Sequence, residues 1–71
     1  MKGQITDTQI EANMKAFRTK KGYSQADVAQ FLSVSRATVN NWETSPGSVN
    51  MKIFRKLAEL YGCQVYDFFM V

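Results

Sequence analysis

Apolar residues recur along most of the chain at steps of three and four positions, the period of an amphipathic α-helix. The first such stripe consists of Ile10, Met14 and Phe17. Thr6 and Gln9 fit a capping box at its start, with Ile5 and Ile10 placed as a hydrophobic staple, although Thr8 with Glu11 is a rival cap. Gly22 follows two lysines and is expected to end this helix, because glycine readily adopts the left-handed conformation.

Two shorter helical patterns follow in SQADVAQFLSVSRATVNNWE, residues 24–43. Ser24 is expected to cap the second helix, with Asp27 where a carboxylate favours a helix N-terminus. Ser35 is expected to cap the third, which ends near Thr44 because residues 45–48 are Ser-Pro-Gly-Ser. The apolar positions are Val28, Ala29, Phe31 and Leu32 in the second helix and Val39 and Trp42 in the third.

Asn50 is expected to cap a fourth helix that Gly62 stops. The apolar residues that repeat at three- and four-residue steps along it are Met51, Phe54, Leu57, Ala58 and Tyr61. Residues 65–69 form a possible last short helix. No repeat or long linker divides the chain, so its 71 residues are expected to form one all-α domain, 1–71, with residues 1–5 as a flexible arm.

The second and third helices are joined by only about four residues, which forces them to cross at roughly 90–120°. Such a crossing requires a small residue where the helices touch, and Ala29 lies in the middle of the second helix. The outer face of the third helix carries the polar residues Arg36, Asn40 and Asn41. Residues 24–44 therefore predict a helix-turn-helix motif.

Gln25, Ala29 and the pair Trp42-Glu43 have the spacing typical of one family. The segment resembles the phage repressor/Cro-type helix-turn-helix of the XRE family, and the likeness extends over roughly residues 9–70. The resemblance implies a compact five-helix, lambda-repressor-like domain that binds double-stranded DNA without a cofactor.

This chain departs from the family pattern at two serines and in one loop. Ser33 and Ser45 stand where relatives usually have glycine, and a serine held at positive φ costs about 1 kcal/mol. The loop before the fourth helix, TSPGSVN, lacks the lysines and arginines with which relatives often grip phosphate.

The third helix is expected to lie in the major groove, where a few side chains read base edges. The planar guanidinium of Arg36 matches guanine O6 and N7, and an asparagine amide matches adenine N6 and N7. Ala37 is placed to touch a thymine methyl group. The expected base contacts are Arg36, Ala37, Asn40 and Asn41.

Phosphate contacts are expected where free amides and the helix dipole favour an anion. Gln25 opens the second helix, its side-chain amide can donate, and the resemblance assigns it a phosphate contact. The other expected phosphate contacts are Ser24, Ser35, Thr38 and Asn50. Ser35 can cap the third helix and touch phosphate at once.

The resemblance also pairs Arg18 with Glu43, which predicts a partly buried ion pair between the first and third helices. The chain end is unusually apolar. Val65 and Phe68 are expected to close the core, with a dimer interface formed by Tyr66, Phe69, Met70 and Val71. A two-fold dimer on a palindromic operator is therefore predicted.

The amino-acid composition limits the partners and sites that this chain is expected to have. Nine basic and six acidic residues give a net charge of +3 and a pI near 9.3, which suits a polyanionic partner. Cys63 is the one cysteine and there is no histidine, so neither an internal disulfide nor a metal site is expected. The sequence shows no membrane span or signal peptide, which favours the cytoplasm. No small-molecule ligand is expected.

We therefore expect a small transcriptional regulator, most simply a repressor that blocks polymerase. An antitoxin-like or adaptor protein-interaction module is the alternative, against which the polar outer face of the third helix argues. An enzyme is not expected, since there is no histidine, metal cluster or glycine-rich phosphate loop.

Overall fold

The computed structural model describes residues 5–70, which form four α-helices and two 3-10 helices. The α-helices are α1 (Asp7–Lys20), α2 (Gln25–Leu32), α3 (Arg36–Thr44) and α4 (Met51–Tyr61). The 3-10 helices span Pro46–Ser48 and Val65–Phe69. The all-α prediction is confirmed for the described residues.

The predicted last short helix is present at Val65–Phe69, but it is a 3-10 helix, so the count of five α-helices is not confirmed. Five residues are too few to offset the cost of α-helical nucleation, and 3-10 geometry serves in short pieces. Of the predicted N-terminal arm, residues 1–4 lie outside the described residues. Ile5 is half-buried and packs against the core.

Each α-helix begins at the cap expected from the sequence. The capping oxygens of Thr6, Ser24, Ser35 and Asn50 accept from backbone amides three residues ahead at 2.9–3.1 Å. The Asp27 carboxylate accepts in return from the Ser24 amide at 2.9 Å, which completes a capping box. At α1, the structure therefore selects Thr6 rather than Thr8.

Phe68 lies at the centre of the core with no exposed surface. Its ring packs edge-on against Phe17 and Tyr61 at centroid distances of 5.8 and 6.3 Å, and tilted against Phe54 at 5.9 Å. The remaining buried apolar residues are Ile10, Met14, Val28, Ala29, Val39, Leu57 and Ala58. The short C-terminal 3-10 helix thus closes the space between α1 and α4.

Two residues of the predicted apolar stripes are exposed. Met51 is the first residue of α4, where the stripe runs past the core, and Phe31 packs edge-on against the Tyr23 ring while keeping its other face open. Helical period alone does not show how far the core extends along a helix.

The turn between α2 and α3 depends on Ser33, which has φ 57° and ψ 44°. The Val34 amide then donates to the Ala29 carbonyl at 2.9 Å, the long hydrogen bond of a Schellman motif. Positive φ is confirmed at Ser33 and wrong at Ser45, whose φ is −138°. Ser45 precedes Pro46, and the proline ring disfavours helical conformations in the residue before it.

No helix within residues 5–70 combines the length and apolar character needed to cross a membrane.

Candidate nucleic-acid interface

The outer face of α3 carries all four residues predicted to contact bases. Arg36, Ala37, Asn40 and Asn41 are exposed. The first three, together with Gln25 of α2, line a shallow depression between the two helices. Asn41 lies outside this depression. The face combines donors, acceptors and one methyl group, the chemistry that reads base edges.

The predicted ion pair between Arg18 and Glu43 is present. Arg18 Nε donates to Glu43 Oε2 at 2.6 Å, and Nη2 donates to Oε1 at 3.2 Å. The third guanidinium nitrogen donates to the Tyr23 carbonyl at 2.8 Å. The side chains are only 12% and 2% exposed. This contact joins the last turns of α1 and α3 and so sets the position of α3.

Gln25 makes contacts that the sequence did not predict. Its Nε2 donates to Glu43 Oε1 at 3.0 Å and to Asn40 Oδ1 at 3.2 Å. Gln25 and Glu43 are 18 residues apart on different helices, so neither spacing nor periodicity indicated that they would meet. The predicted side-chain donation to phosphate would compete with these two bonds.

Of the other predicted phosphate contacts, Ser24, Ser35 and Asn50 are helix caps in the structure, and Thr38 lies in the first turn of α3. Ser35 Oγ accepts from the Thr38 amide, and it also lies 2.9 Å from the hydroxyl oxygen of the half-buried Thr38. Ser24 and Asn50 are exposed, and Asn50 caps through Oδ1, which leaves its NH₂ group available to donate. All four lie at helix N-termini, where the dipole attracts anions.

The start of α2 offers backbone donors as well. The Asp27 amide is occupied by the Ser24 hydroxyl, whereas the amides of Gln25 and Ala26 precede the first possible i−4 acceptor within the helix. The backbone amides of Gln25 and Ala26 and the positive end of the α2 dipole therefore lie next to the depression between α2 and α3.

Positive charge is sparse on α3 and denser on α4. Arg36 is the one basic residue of α3, whereas Lys52, Arg55 and Lys56 are exposed on α4. These three and Glu59 follow helical spacing along one side of α4 and line a common surface concavity. Three exposed cations therefore lie on α4, against one on α3.

Behind the ion pair lies the phenol of Tyr61, whose side chain is buried. Burial, followed by the nearby Glu43 carboxylate, raises the pKa of this phenol well above its ordinary value of 10.0. Cys63 is half-buried, and burial also raises the pKa of its thiol. Both groups are therefore neutral at physiological pH, consistent with structural roles.

The predicted dimer residues divide into two groups. Tyr66 and Met70 are 64% and 56% exposed, whereas Phe69 is half-buried against the Phe54 ring at 5.1 Å. Val71 lies outside the described residues. The segment is held by Asn13 of α1, whose Nδ2 donates to the carbonyls of Phe68 at 2.8 Å and Met70 at 2.7 Å.

The contacts of Asn13 were not predicted. The signal was an uncharged polar residue three positions after Ile10 and four before Phe17, on the side of α1 that faces the core. A polar residue in such a place is expected to satisfy backbone groups of a neighbouring segment.

A crossed helix pair with an exposed polar recognition helix defines the class of helix-turn-helix regulators. The family model described as helix-turn-helix matches residues 14–68, and the chain belongs to this Cro/C1-type (XRE) family.

Sequence similarity to individual proteins is consistent with this family. A protein of Saccharolobus islandicus provisionally named an HTH-type transcriptional regulatory protein is 39% identical over 49 residues, 69% of this chain and 16% of that protein. A similarly named protein of Saccharolobus solfataricus matches to the same extent. The antitoxin HipB of Escherichia coli is 29% identical over 52 residues, 73% of this chain and 55% of HipB. This chain thus spans about one sixth of the first relatives' length. No solved structure matches it.

Proposed function

We propose that this domain binds double-stranded DNA sequence-specifically and acts as a small transcriptional regulator, most simply a repressor. The observation that carries the proposal is the exposed polar face of α3 beside the N-terminus of α2, with α3 held by the buried Arg18–Glu43 pair. A domain occupying a promoter most simply represses by excluding polymerase. Binding to chromosomal DNA would take place in the cytoplasm, and the family is typically non-enzymatic.

In the proposed complex, α3 lies in the major groove with its N-terminal end deepest. Arg36 reads guanine through its two parallel donors, and Ala37 touches a thymine methyl group. Asn40 and Asn41 read bases one turn further along the helix. Each good bidentate pair is worth about 1–3 kcal/mol of discrimination, so these few contacts would supply modest specificity for one monomer.

Phosphates would be held at helix N-termini. The amides of Gln25 and Ala26 and the side chain of Ser24 serve one phosphate, and Ser35 with Thr38 serves another. The NH₂ group of Asn50 supplies a donor in the loop that lacks basic residues. Neutral contacts of this kind position the protein on DNA and add little salt dependence, which would come from Arg36 and the lysines.

Two copies would bind a palindromic operator through the apolar surface of Tyr66, Phe69, Met70 and Val71. The exposed side chains of Tyr66 and Met70 support the proposal, because two-fold contacts between identical patches are the commonest arrangement in homodimers. Half-sites would then lie about one helical turn apart.

Selection of bound sites from random duplex DNA, with and without Arg36→Ala, tests the proposal. Wild-type protein should enrich an inverted repeat, and Arg36→Ala should relax preference mainly at one base pair of each half-site. Lys15→Ala, which removes an exposed charge from α1, is the control and should leave the preference intact. Selection that enriches no sequence with wild-type protein would refute the proposed function.

A second candidate is an antitoxin-like module that binds another protein, and the similarity to antitoxin HipB favours it. The two functions are compatible when they use different surfaces. Competition decides between them: a protein partner displaced by operator DNA uses the α3 face, whereas a partner bound together with DNA uses another surface.

A further inference from the structure

The side chain of Gln25 has no amide hydrogen left to donate outward in the free protein. A glutamine NH₂ group has two hydrogens, and here one goes to Glu43 Oε1 at 3.0 Å and the other to Asn40 Oδ1 at 3.2 Å. What Gln25 retains is its carbonyl oxygen, which is an acceptor. A phosphate oxygen is also an acceptor, so a direct bond from this side chain to phosphate would first break an internal one.

The identities of these partners determine which way both amides point. Glu43 forms an ion pair with Arg18, and a carboxylate can only accept, so the group of Gln25 that faces it must be the NH₂. The Asn40 atom facing the same nitrogen must then be the oxygen. The NH₂ group of Asn40 is consequently turned away from α2, on the exposed face of α3.

The orientation of the Gln25 and Asn40 side-chain amides is supported by the buried Arg18–Glu43 pair. Glu43 is 2% exposed and is held by two guanidinium hydrogen bonds from Arg18, which also donates to the Tyr23 carbonyl. A chain of hydrogen bonds therefore runs from α1 through the end of α3 to the start of α2 and back to the exposed residue Asn40. Supporting bonds of this kind preorganise a side chain for recognition.

We propose that Gln25 is a positioning residue that acts through Asn40 and does not donate to phosphate. It holds Asn40 so that the NH₂ group faces the groove as a donor, with one oxygen lone pair still free. Asn40 would then select a purine N7 acceptor, with adenine N6 donating to the remaining lone pair. This inference rests on the proposed function, since it concerns how α3 reads DNA.

The first test is a cycle of variants on the selected operator. Gln25→Met keeps the length of the side chain and removes its amide, and Asn40→Ala removes the reader. Gln25→Met should lower discrimination at the base pair read by Asn40 about fivefold or more and affect other base pairs little. In the Asn40→Ala background, Gln25→Met should have no further effect on discrimination.

Gln30→Met is the matched control, because Gln30 lies on the same helix and is exposed. It should leave the preference at every base pair unchanged. If Gln25→Met instead weakens all operator variants by the same factor, Gln25 donates to phosphate and the inference is wrong. A merely structural role is separated by thermal unfolding, because lost stability alone would not change base preference at a single position.

A second measurement needs no DNA. In ¹⁵N-correlated NMR spectra of the free protein, the side-chain NH₂ signals of Gln25 should be shifted and their exchange with water slowed, because both hydrogens are donated internally. The NH₂ signals of Asn40 should be shifted as well, because its carbonyl oxygen accepts from Gln25. Gln25→Met should move the Asn40 side-chain signals toward those of a free asparagine, whereas Gln30→Met should not. Unchanged Asn40 signals in Gln25→Met would overturn the inference.

The outcomes separate this inference from the proposed function. A wild-type protein with no base preference contradicts the proposed function. A preference that Asn40→Ala abolishes and Gln25→Met retains contradicts only the positioning role of Gln25.

Discussion

At the scale of single residues, the backbone carries, within residues 5–70, one conformation that its side chain disfavours. Ser33 has φ 57°, in the left-handed region where a Cβ atom crowds the backbone. The conformation persists because the Schellman hydrogen bond and the packing of Ala29 hold the turn between α2 and α3. The turn is therefore formed at some cost in stability.

Ser33→Gly should raise the free energy of unfolding by up to about 1 kcal/mol, because glycine adopts positive φ without strain. Ser45→Gly is the control, since its φ of −138° suits any residue and glycine there only adds freedom to the unfolded chain. Urea unfolding of both variants measures the difference. Equal changes in the two variants would contradict the strain at Ser33.

The buried phenol of Tyr61 should make stability depend on alkaline pH. Its pKa is raised by burial above the ordinary value of 10.0, so above pH 10 the unfolded chain releases a proton that the folded chain retains. Ionisation then favours the unfolded state, and the contribution of Tyr61 to the free energy of unfolding falls by about 1.4 kcal/mol per pH unit above 10.

Tyr61→Phe should therefore flatten the decline in unfolding free energy between pH 10 and 12. Tyr66→Phe changes an exposed ring and is the control, so this variant should show the full decline. Urea unfolding at a series of pH values supplies the curves. Parallel curves for wild type and Tyr61→Phe would show that another group causes the decline. Cys63, whose thiol pKa is also raised by burial, can be removed by Cys63→Ala in both proteins.

At the scale of elements, the Arg18–Glu43 pair joins three helices. It connects the last turn of α1 to the last turn of α3, and Gln25 brings the first turn of α2 to the same carboxylate. The hydrogen bonds satisfy both charges, so the cost of burying them is offset. The pair is accordingly better understood as a device that sets helix positions than as a large source of stability.

Arg18→Met should lower the free energy of unfolding by about 3 kcal/mol or more, because it leaves a buried carboxylate unpaired. The double variant Arg18→Met/Glu43→Met should recover much of that loss, since no buried charge then remains. Chemical denaturation of the two single variants and the double variant measures the coupling. A double variant as unstable as the sum of the singles would mean that the pair has no special coupling.

At the scale of the whole molecule, charge and apolar surface occupy different places. Within residues 5–70, most exposed cations lie on or next to α1 and α4, and the predicted base contacts lie on α3. The exposed apolar side chains in the described part of the C-terminal segment are Tyr66 and Met70. One domain can in this way meet DNA on one surface and a second copy on another. Specificity would then come from two half-sites read together.

Tyr66→Glu with Met70→Glu should weaken self-association by at least about tenfold, because each dimer would bury four like charges in place of apolar groups. Sedimentation equilibrium measures the association constant. Phe31→Glu places the same charge on another exposed apolar residue and should leave association unchanged. Loss of association in Phe31→Glu, but not in the double variant, would place the interface beside α2 instead.

The sequence predicted features that depend on neighbours a few residues apart. Caps join residues three positions apart, so Ser24, Ser35 and Asn50 could be identified directly. For α1 the sequence offered both Thr6 and Thr8, and the structure selects Thr6. The exposed face of α3 followed from helical period. The Arg18–Glu43 pair required the family resemblance, because no local rule relates residues 25 positions apart.

The sequence by itself thus determined which segments are α-helical, where α2, α3 and α4 begin and which side of α3 is polar, since these follow from short-range hydrogen bonding and helical period. Only the tertiary structure decided that Val65–Phe69 is a 3-10 helix in contact with Asn13, that Met51 and Phe31 remain exposed, and where the donors of Gln25 point. Those outcomes depend on how helices distant in sequence pack together. A side-chain amide has two opposite ends, and only its neighbours in space determine which end faces outward.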